Sequence, residues 1–200
     1  MSATSRAAAR LDEFEMRRAT LGDIPALEHF IAAYTGDGTL LPRNRANLLA
    51  HLGDFVLCLE SGDLVGCGAL QRVDGKQAEV RSVAVRPESR GHGLGGRLVE
   101  ALVERGRSLG LESVFCLTRQ VPFFAHHGFV EVPKEAFPHK IWNDCRLCPR
   151  QQHCDEVAMQ RPLHDVAHVV VTPASRPVSQ VTPPPALRSA STATDAGEPS

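Results

Sequence analysis

The residues best able to do chemistry fall in one stretch, Val83-Ala84-Val85-Arg86-Pro87-Glu88-Ser89-Arg90-Gly91-His92-Gly93-Leu94-Gly95-Gly96. An apolar run ends there in a basic, glycine-rich turn that opens a helix. The first amides of a helix have no intrahelical partner and point outward beside the positive end of its dipole. Glycine at 91, 93, 95 and 96 lets that backbone approach a phosphate with no side chain in the way. Arg86 and Arg90 add positive charge, and a pyrophosphate fits such a turn. A plain glycine-rich connection is the simpler reading, but glycine costs about 1 kcal/mol relative to alanine at each helical position. A ligand would recover that cost. The stretch is not a P-loop, because no Gly-Lys-Ser/Thr follows. Nor does Gly91-x-Gly93-x-x-Gly96 make a dinucleotide fingerprint, since it lies beyond the first βα turn and no ribose-binding acid is evident.

A second group is Cys145-x-x-Cys148-x-x-x-x-His153-Cys154, three thiols and an imidazole within ten residues. Cys-x-x-Cys is the usual hook of a tetrahedral zinc site. The adjacent pair His153-Cys154 suits one metal poorly, although His139 could replace His153. A disulfide, a redox pair and simple loop packing stay open, and no metal ligand is assigned. Cys58, Cys67 and Cys116 each sit in an apolar stretch and read as core.

The elements that must position these groups alternate strands with helices between two polar ends. The 200 residues are 42% hydrophobic and 22% charged, with a formal charge of −1. That balance offers no surface for nucleic acid or an anionic membrane, and no apolar run is long enough to span a bilayer. Residues 1–13 and the Pro/Ser/Thr-rich residues 164–200 are expected to be disordered around a domain at 14–163, with a Cys-rich insertion at 139–154. The absence of a secretory signal points to the cytoplasm. A strand is expected over 14–19, followed by a Thr20–Asp23 capping box and a helix to 34. A short helix at 43–51 precedes strands at 55–60, 64–73 and 77–85, the last two joined by Asp74-Gly75. The helix at 93–109 is closed by Gly110. Then come a strand at 114–118, a helix from 122 to 128, and strands at 129–132 and 155–160. An antiparallel meander followed by a β-α-β-α-β half implies an α/β (α+β) fold, a mixed, mostly antiparallel sheet flanked by helices. On this strand alternation puts Glu79, Arg81, Val83 and Val85 on one face.

Arg90-x-x-Gly93-x-Gly95, preceded by Val83-Ala84-Val85 and followed by an amphipathic helix, resembles the CoA-binding motif of the GNAT N-acetyltransferases. Phe123-Phe124-x-x-x-Gly128-Phe129 is similar to the second motif near that domain's end. The resemblance implies acetyl-CoA as co-substrate. It implies Val83 and Val85 on pantetheine with Ala84 between them also at the cofactor, Arg90, Gly91, His92, Gly93, Leu94, Gly95 and Gly96 on the phosphates, and Phe124 beside the cofactor. It also implies Glu79 as general base, often acting through water, with a main-chain N–H near Val83 or Ala84 as oxyanion donor. Phe124 stands where many relatives carry a Tyr that protonates the departing thiolate. A thiol pKa near 8.5 leaves CoA thiolate a tolerable leaving group. His126 and His127 are alternative acids, or simply solvent-facing.

Glu79 to Val85, Cys116 to Phe124 and Phe137 to Cys145 resemble the acetyltransferase domain of N-acetylglutamate synthases, most closely short forms without the amino-acid-kinase domain. That implies L-glutamate as acceptor, in the first step of arginine synthesis. Arg43, Arg81, Thr118 and Lys140 are then candidates to bind its carboxylates, each equally readable as a surface residue. A protein N-terminus, a lysine or a toxic amine is an alternative acceptor. A silent acetyl-CoA- or metal-responsive binding module is an alternative of another class. A homodimer is compatible with the sequence.

Overall fold

The computed structural model describes residues 14–36, 38–137 and 153–164. The expected disordered ends and most of the Cys-rich insertion, with His139, Lys140, Cys145 and Cys148, therefore lie outside the described residues.

β1 (Phe14–Arg18) leads through a 3₁₀ turn at Leu21–Asp23 into α1 (Ile24–Ala32). The expected capping box is present, and Asp23 is its hub. Its carboxylate accepts the Thr20 backbone N–H at 2.7 Å and both Arg17 guanidinium nitrogens at 2.7 Å each. α2 (Arg45–Ala50) is capped by Asn44, whose side chain accepts from the Asn47 N–H. The meander β2 (Phe55–Glu60), β3 (Asp63–Arg72) and β4 (Gln77–Val85) follows. Asp74 holds the β3–β4 turn by accepting the N–H groups of Lys76 and Gln77, both at 2.7 Å. The loop therefore closes on Val73 and Gln77 and includes Lys76 as well as Asp74-Gly75.

The long helix α3 (Leu94–Ser108) ends in a Schellman motif, with Gly110 N–H on Arg107 and Leu111 N–H on Gly106. β5 (Ser113–Thr118), α4 (Val121–His126), β6 (Val130–Glu131) and β7 (Val157–Pro162) complete the chain.

The sheet has seven strands in the order β1-β2-β3-β4-β5-β7-β6. Every pairing is antiparallel except β4 with β5. β7 does not extend the sheet at its end; it inserts between β5 and β6, and its apolar residues Met159 and Ala158 are buried on its two faces.

One face packs under α3, where Leu94, Leu98, Val99, Leu102 and Val103 meet Val80, Val114, Cys116 and Met159. The hydrophobic positions of α3 recur at helical spacing, so a single stripe is buried. The opposite face carries α1 and α2, whose Ile24, Leu27, Ile31 and Leu48 cover Leu57, Leu59, Cys67 and Ala84. A smaller cluster stacks Phe137 on Phe115 with ring centroids 4.0 Å apart. Cys58, Cys67 and Cys116 are buried and unbridged, as core thiols.

Candidate active site

β4 and β5 run side by side for only three residue pairs, Gln77–Ser113, Ala78–Val114 and Glu79–Phe115. Beyond Glu79 the two strands part, one toward the glycine turn and the other toward α4. A cleft of about 700 Å³ opens in the fork. Past Glu79 the β5-facing edge of β4 has no strand partner among the described residues, so backbone donors and acceptors are presented to the cleft.

A β-bulge sets which side chains face which way. Cys67 pairs with Ala84 and Ala69 with Arg81, so Gly68 alone opposes both Ser82 and Val83. Ser82 takes a left-handed φ of 54° to accommodate the extra residue. Strict alternation is therefore broken. Ala78 and Val80 face α3, and after the bulge Val83 and Val85 face it too. Glu79 and Arg81 lie on the other side. This corrects the expectation that Glu79, Val83 and Val85 share a face: the inserted residue shifts the side-chain phase by one position. The bulge is anchored where the Cys67 thiol donates to the Ser82 carbonyl at 3.4 Å and Arg43 Nε donates to Ser82 Oγ at 3.3 Å.

The glycine turn closes one end. Gly91 and Gly93 have φ of 81° and 73°, and a Cβ at either would meet nothing within 4 Å. Their backbone faces open space, as a bound phosphate requires. Val83, Ala84, Val85, Arg90, Gly91, Gly93, Leu94, Gly95 and Gly96 all line the cleft. His92 does not; its ring turns toward Phe14, with centroids 6.0 Å apart. The residues present fit a CoA diphosphate.

α4 supplies a wall through Phe123 and Phe124, the latter buried. Gly95 and Gly96 let this wall approach α3: a Cβ on Gly95 would sit 3.4 Å from the Phe123 ring, and one on Gly96 only 2.7 Å from His127. Arg161 from β7 ties the helix end down by donating to Glu100 at 2.7 Å and to the His127 carbonyl at 2.8 Å. His126 is exposed, whereas His127 packs over Gly96 with Nδ1 3.3 Å from Glu100. Neither histidine lines the cleft.

Near the fork, Glu79 is 5% exposed and sits 3.3 Å from Arg81 Nη1, while Arg81 also donates to Gln71. Arg81 lines the cleft; Glu79 is recessed behind it. Thr118 is buried at the end of β5, lines the cleft, and accepts the Gln120 N–H on Oγ1 at 2.9 Å. Arg43 is not a lining residue but stands behind Ser82, which is. Sequence reasoning missed Thr39, Leu40, Arg119, Gln120 and Glu156 among the lining residues. Adjacency to Thr118 could have flagged Arg119 and Gln120. The others come from remote segments with no local signal.

The nearby Cys67 and Cys116 thiols are buried. Burial pushes Cys67 up to about 12, and pushes Cys116 higher still. That disfavours Cys67 and Cys116 as nucleophiles. Of the Cys-rich segment, His153 and Cys154 are described and exposed. Among the described residues no group of three or more His, Cys, Asp or Glu could hold a metal.

A family model described as "Acetyltransferase (GNAT) family" matches residues 21–129. The chain belongs to that family. An uncharacterized N-acetyltransferase of Chlorobaculum tepidum is 39% identical over 148 residues, 74% of this chain and 96% of that protein. An amino-acid acetyltransferase of Mycobacterium tuberculosis is 36% identical over 135 residues, covering 66% of this chain and 77% of the relative. Amino-acid acetyltransferases such as that of Neisseria meningitidis are longer: the match is 31% identical but spans 32% of their length. Among solved structures, the N-acetylglutamate synthase of Neisseria gonorrhoeae, complexed with coenzyme A and N-acetyl-glutamate, superposes with a TM-score of 0.68 at 29% identity. That match covers 76% of this chain and 35% of the other. A Mycobacterium tuberculosis protein in complex with CoA and a second ligand gives a TM-score of 0.64 at 31% identity, covering 75% of this chain and 99% of that one.

This GNAT enzyme is an acetyl-CoA-dependent N-acetyltransferase. Among the described residues no helix is long and apolar enough to cross a membrane.

Proposed function

We propose that this enzyme acetylates the α-amino group of L-glutamate, the opening step of arginine synthesis in the cytoplasm, by direct attack on the thioester of acetyl-CoA. The observation that carries the reading is the polarity of the cleft. Arg81 and Arg119 line it near the fork, where an acceptor would stand, and the glycine turn occupies the end suited to CoA. An acceptor with two carboxylates calls for such cationic groups. The likeness to amino-acid acetyltransferases supports it further.

In the proposed reaction the acceptor ammonium first loses a proton. Glu79 receives it through intervening water, since its carboxylate is recessed behind Arg81. The neutral nitrogen then attacks the acetyl carbonyl carbon. The developing oxyanion is met by a main-chain N–H near Val83 or Ala84, on the β4 edge that β5 leaves unpaired. The carbon–sulfur bond breaks, and the thiolate departs without a dedicated acid because its conjugate thiol is already moderately acidic; the second proton of the attacking nitrogen passes to water or to the departing thiolate, leaving the neutral amide and coenzyme A. Val83 and Val85 would pair with pantetheine, Arg90, Gly91 and Gly93 to Gly96 would hold the phosphates, and Phe124 would pack beside the chain. Arg43 and Thr118 would help orient the acceptor, Arg43 through Ser82. Lys140 remains a further candidate.

The test is an acceptor screen with purified protein and labelled acetyl-CoA. Acetylation of L-glutamate well above other amino acids and peptides is expected. Turnover of a peptide amine or polyamine without glutamate would end the arginine-pathway reading.

A further inference from the structure

The third wall of the cleft comes from the strand on the far side of β5. β7 begins at Val157, which pairs with Thr118, and Glu156 stands immediately before it. Val157 and Met159 pack with the α3 core, whereas Ala158 packs with Phe115, Phe137 and Leu117 on the opposite face. Alternation therefore puts Glu156 on the face of Ala158 and Leu117. Paired residues on neighbouring strands share a face, so Glu79, the partner of Phe115, and Arg81 belong to it as well.

Among the described residues that line the cleft, Glu156 is the one carboxylate. Glu156 is half-buried, whereas Glu79 is covered. Both carboxylates act on the same point of β5: each helps raise the pKa of the Cys116 thiol, after the larger effect of burial. An ammonium ion entering this cleft meets Arg81, Arg90 and Arg119. Without a facing anion it would be repelled. We infer that Glu156 receives the acceptor's ammonium group, with Arg81 and Arg119 facing its carboxylate, so that the zwitterion is oriented before it is deprotonated. Glu156 is then a specificity-determining residue acting on acceptor binding, and Glu79 acts on the chemical step. The inference rests on the reading of the enzyme as an amino-acid N-acetyltransferase.

The experiment compares wild type, Glu156→Gln and Glu156→Asp in steady-state kinetics with L-glutamate and other L-amino acids. Calorimetric titration of the best acceptor into the enzyme–CoA complex accompanies it. Loss of a charge-assisted hydrogen bond predicts an acceptor KM and Kd raised roughly tenfold to a hundredfold in Glu156→Gln. The acetyl-CoA KM should move less than about twofold, and kcat should fall less than KM rises. Glu156→Asp, which keeps the charge, should recover most of the loss. An unchanged acceptor KM would overturn the inference. So would a rise in both KM values together with a lowered Tm, which marks a structural role. A lower acceptor KM would place Glu156 against the substrate's carboxylate and overturn it too. Failure of the underlying reading looks different: wild type itself would bind CoA yet acetylate no amino acid, and the inference would fall with it.

Discussion

Replacing Gly96 by alanine pits two effects of similar size against each other. Gly96 is the third residue of α3, and alanine there should gain about 1 kcal/mol of helix propensity. Its new methyl, however, would stand 2.7 Å from His127 Cε1 and 2.8 Å from Nε2, well inside van der Waals contact. Carbon–carbon contacts are optimal at roughly 3.5–4.0 Å, so the ring must retreat by about 1 Å. It has little freedom to do so. Phe123 packs against it edge-on with centroids 5.0 Å apart, and Glu100 lies 3.3 Å from Nδ1. Overpacking of this kind costs about 1–3 kcal/mol. Gly96→Ala should therefore lose up to about 2 kcal/mol net of the helix gain. Because α4 carries Phe123 and Phe124, the displaced ring also shifts a wall of the cleft, and CoA should bind several-fold more weakly. Removing the ring relieves the clash, so Gly96→Ala combined with His127→Ala should be more stable than the two single effects sum to. The assay is urea unfolding of wild type, both single variants and the double variant, with calorimetric titration of CoA into each. Additive stabilities within about 0.5 kcal/mol, together with unaltered CoA affinity, would refute the packing argument.

Three further outcomes are expected. Gly93→Val forces a β-branched side chain into a left-handed φ of 73°, at a cost above about 1–2 kcal/mol, and should weaken acetyl-CoA binding at least tenfold; wild-type affinity by calorimetry would remove the turn as the phosphate site. Glu79→Gln should lower kcat at neutral pH by roughly 10²–10⁴-fold and regain part of it at high pH, where free amine is abundant; a pH–rate profile parallel to wild type would exclude Glu79 as the base. Asp23 is held well below the usual carboxylate range, chiefly by the Arg17 hydrogen bonds. Its folded pKa lies below the unfolded value, so its contribution is complete at neutral pH and is lost as pH falls below about 4. Asp23→Asn should cost about 1.5–3 kcal/mol at pH 7 and flatten the acid limb of stability against pH; an unchanged limb in urea titrations would contradict this.

Local features were legible in the residues themselves. The glycine turn, the Thr20–Asp23 box, the Asp74 turn and the stripe of α3 depend on neighbours within a few positions, and their residue types carry the conformation. The same holds for the buried thiols, each embedded in an apolar run. What could not be read there is non-local. The bulge at Ser82 has no distinctive residue type, and it reverses the faces of Glu79 and Val83 relative to strict alternation. The insertion of β7 between β5 and β6 depends on pairing partners dozens of residues away.

Sequence alone thus determined the chemistry on offer: backbone amides stripped of side chains at a helix mouth, arginines beside them, and one glutamate on the preceding strand. Tertiary structure decided the geometry in which that chemistry is presented. It ended the β4–β5 ladder at Glu79 to open the cleft, recessed that glutamate behind Arg81, and brought Glu156 to the opposite wall. The division has a physical cause. Short-range conformational preferences are written in adjacent residues, whereas where two strands part, and what fills the gap, is set by the packing of segments far apart in the chain.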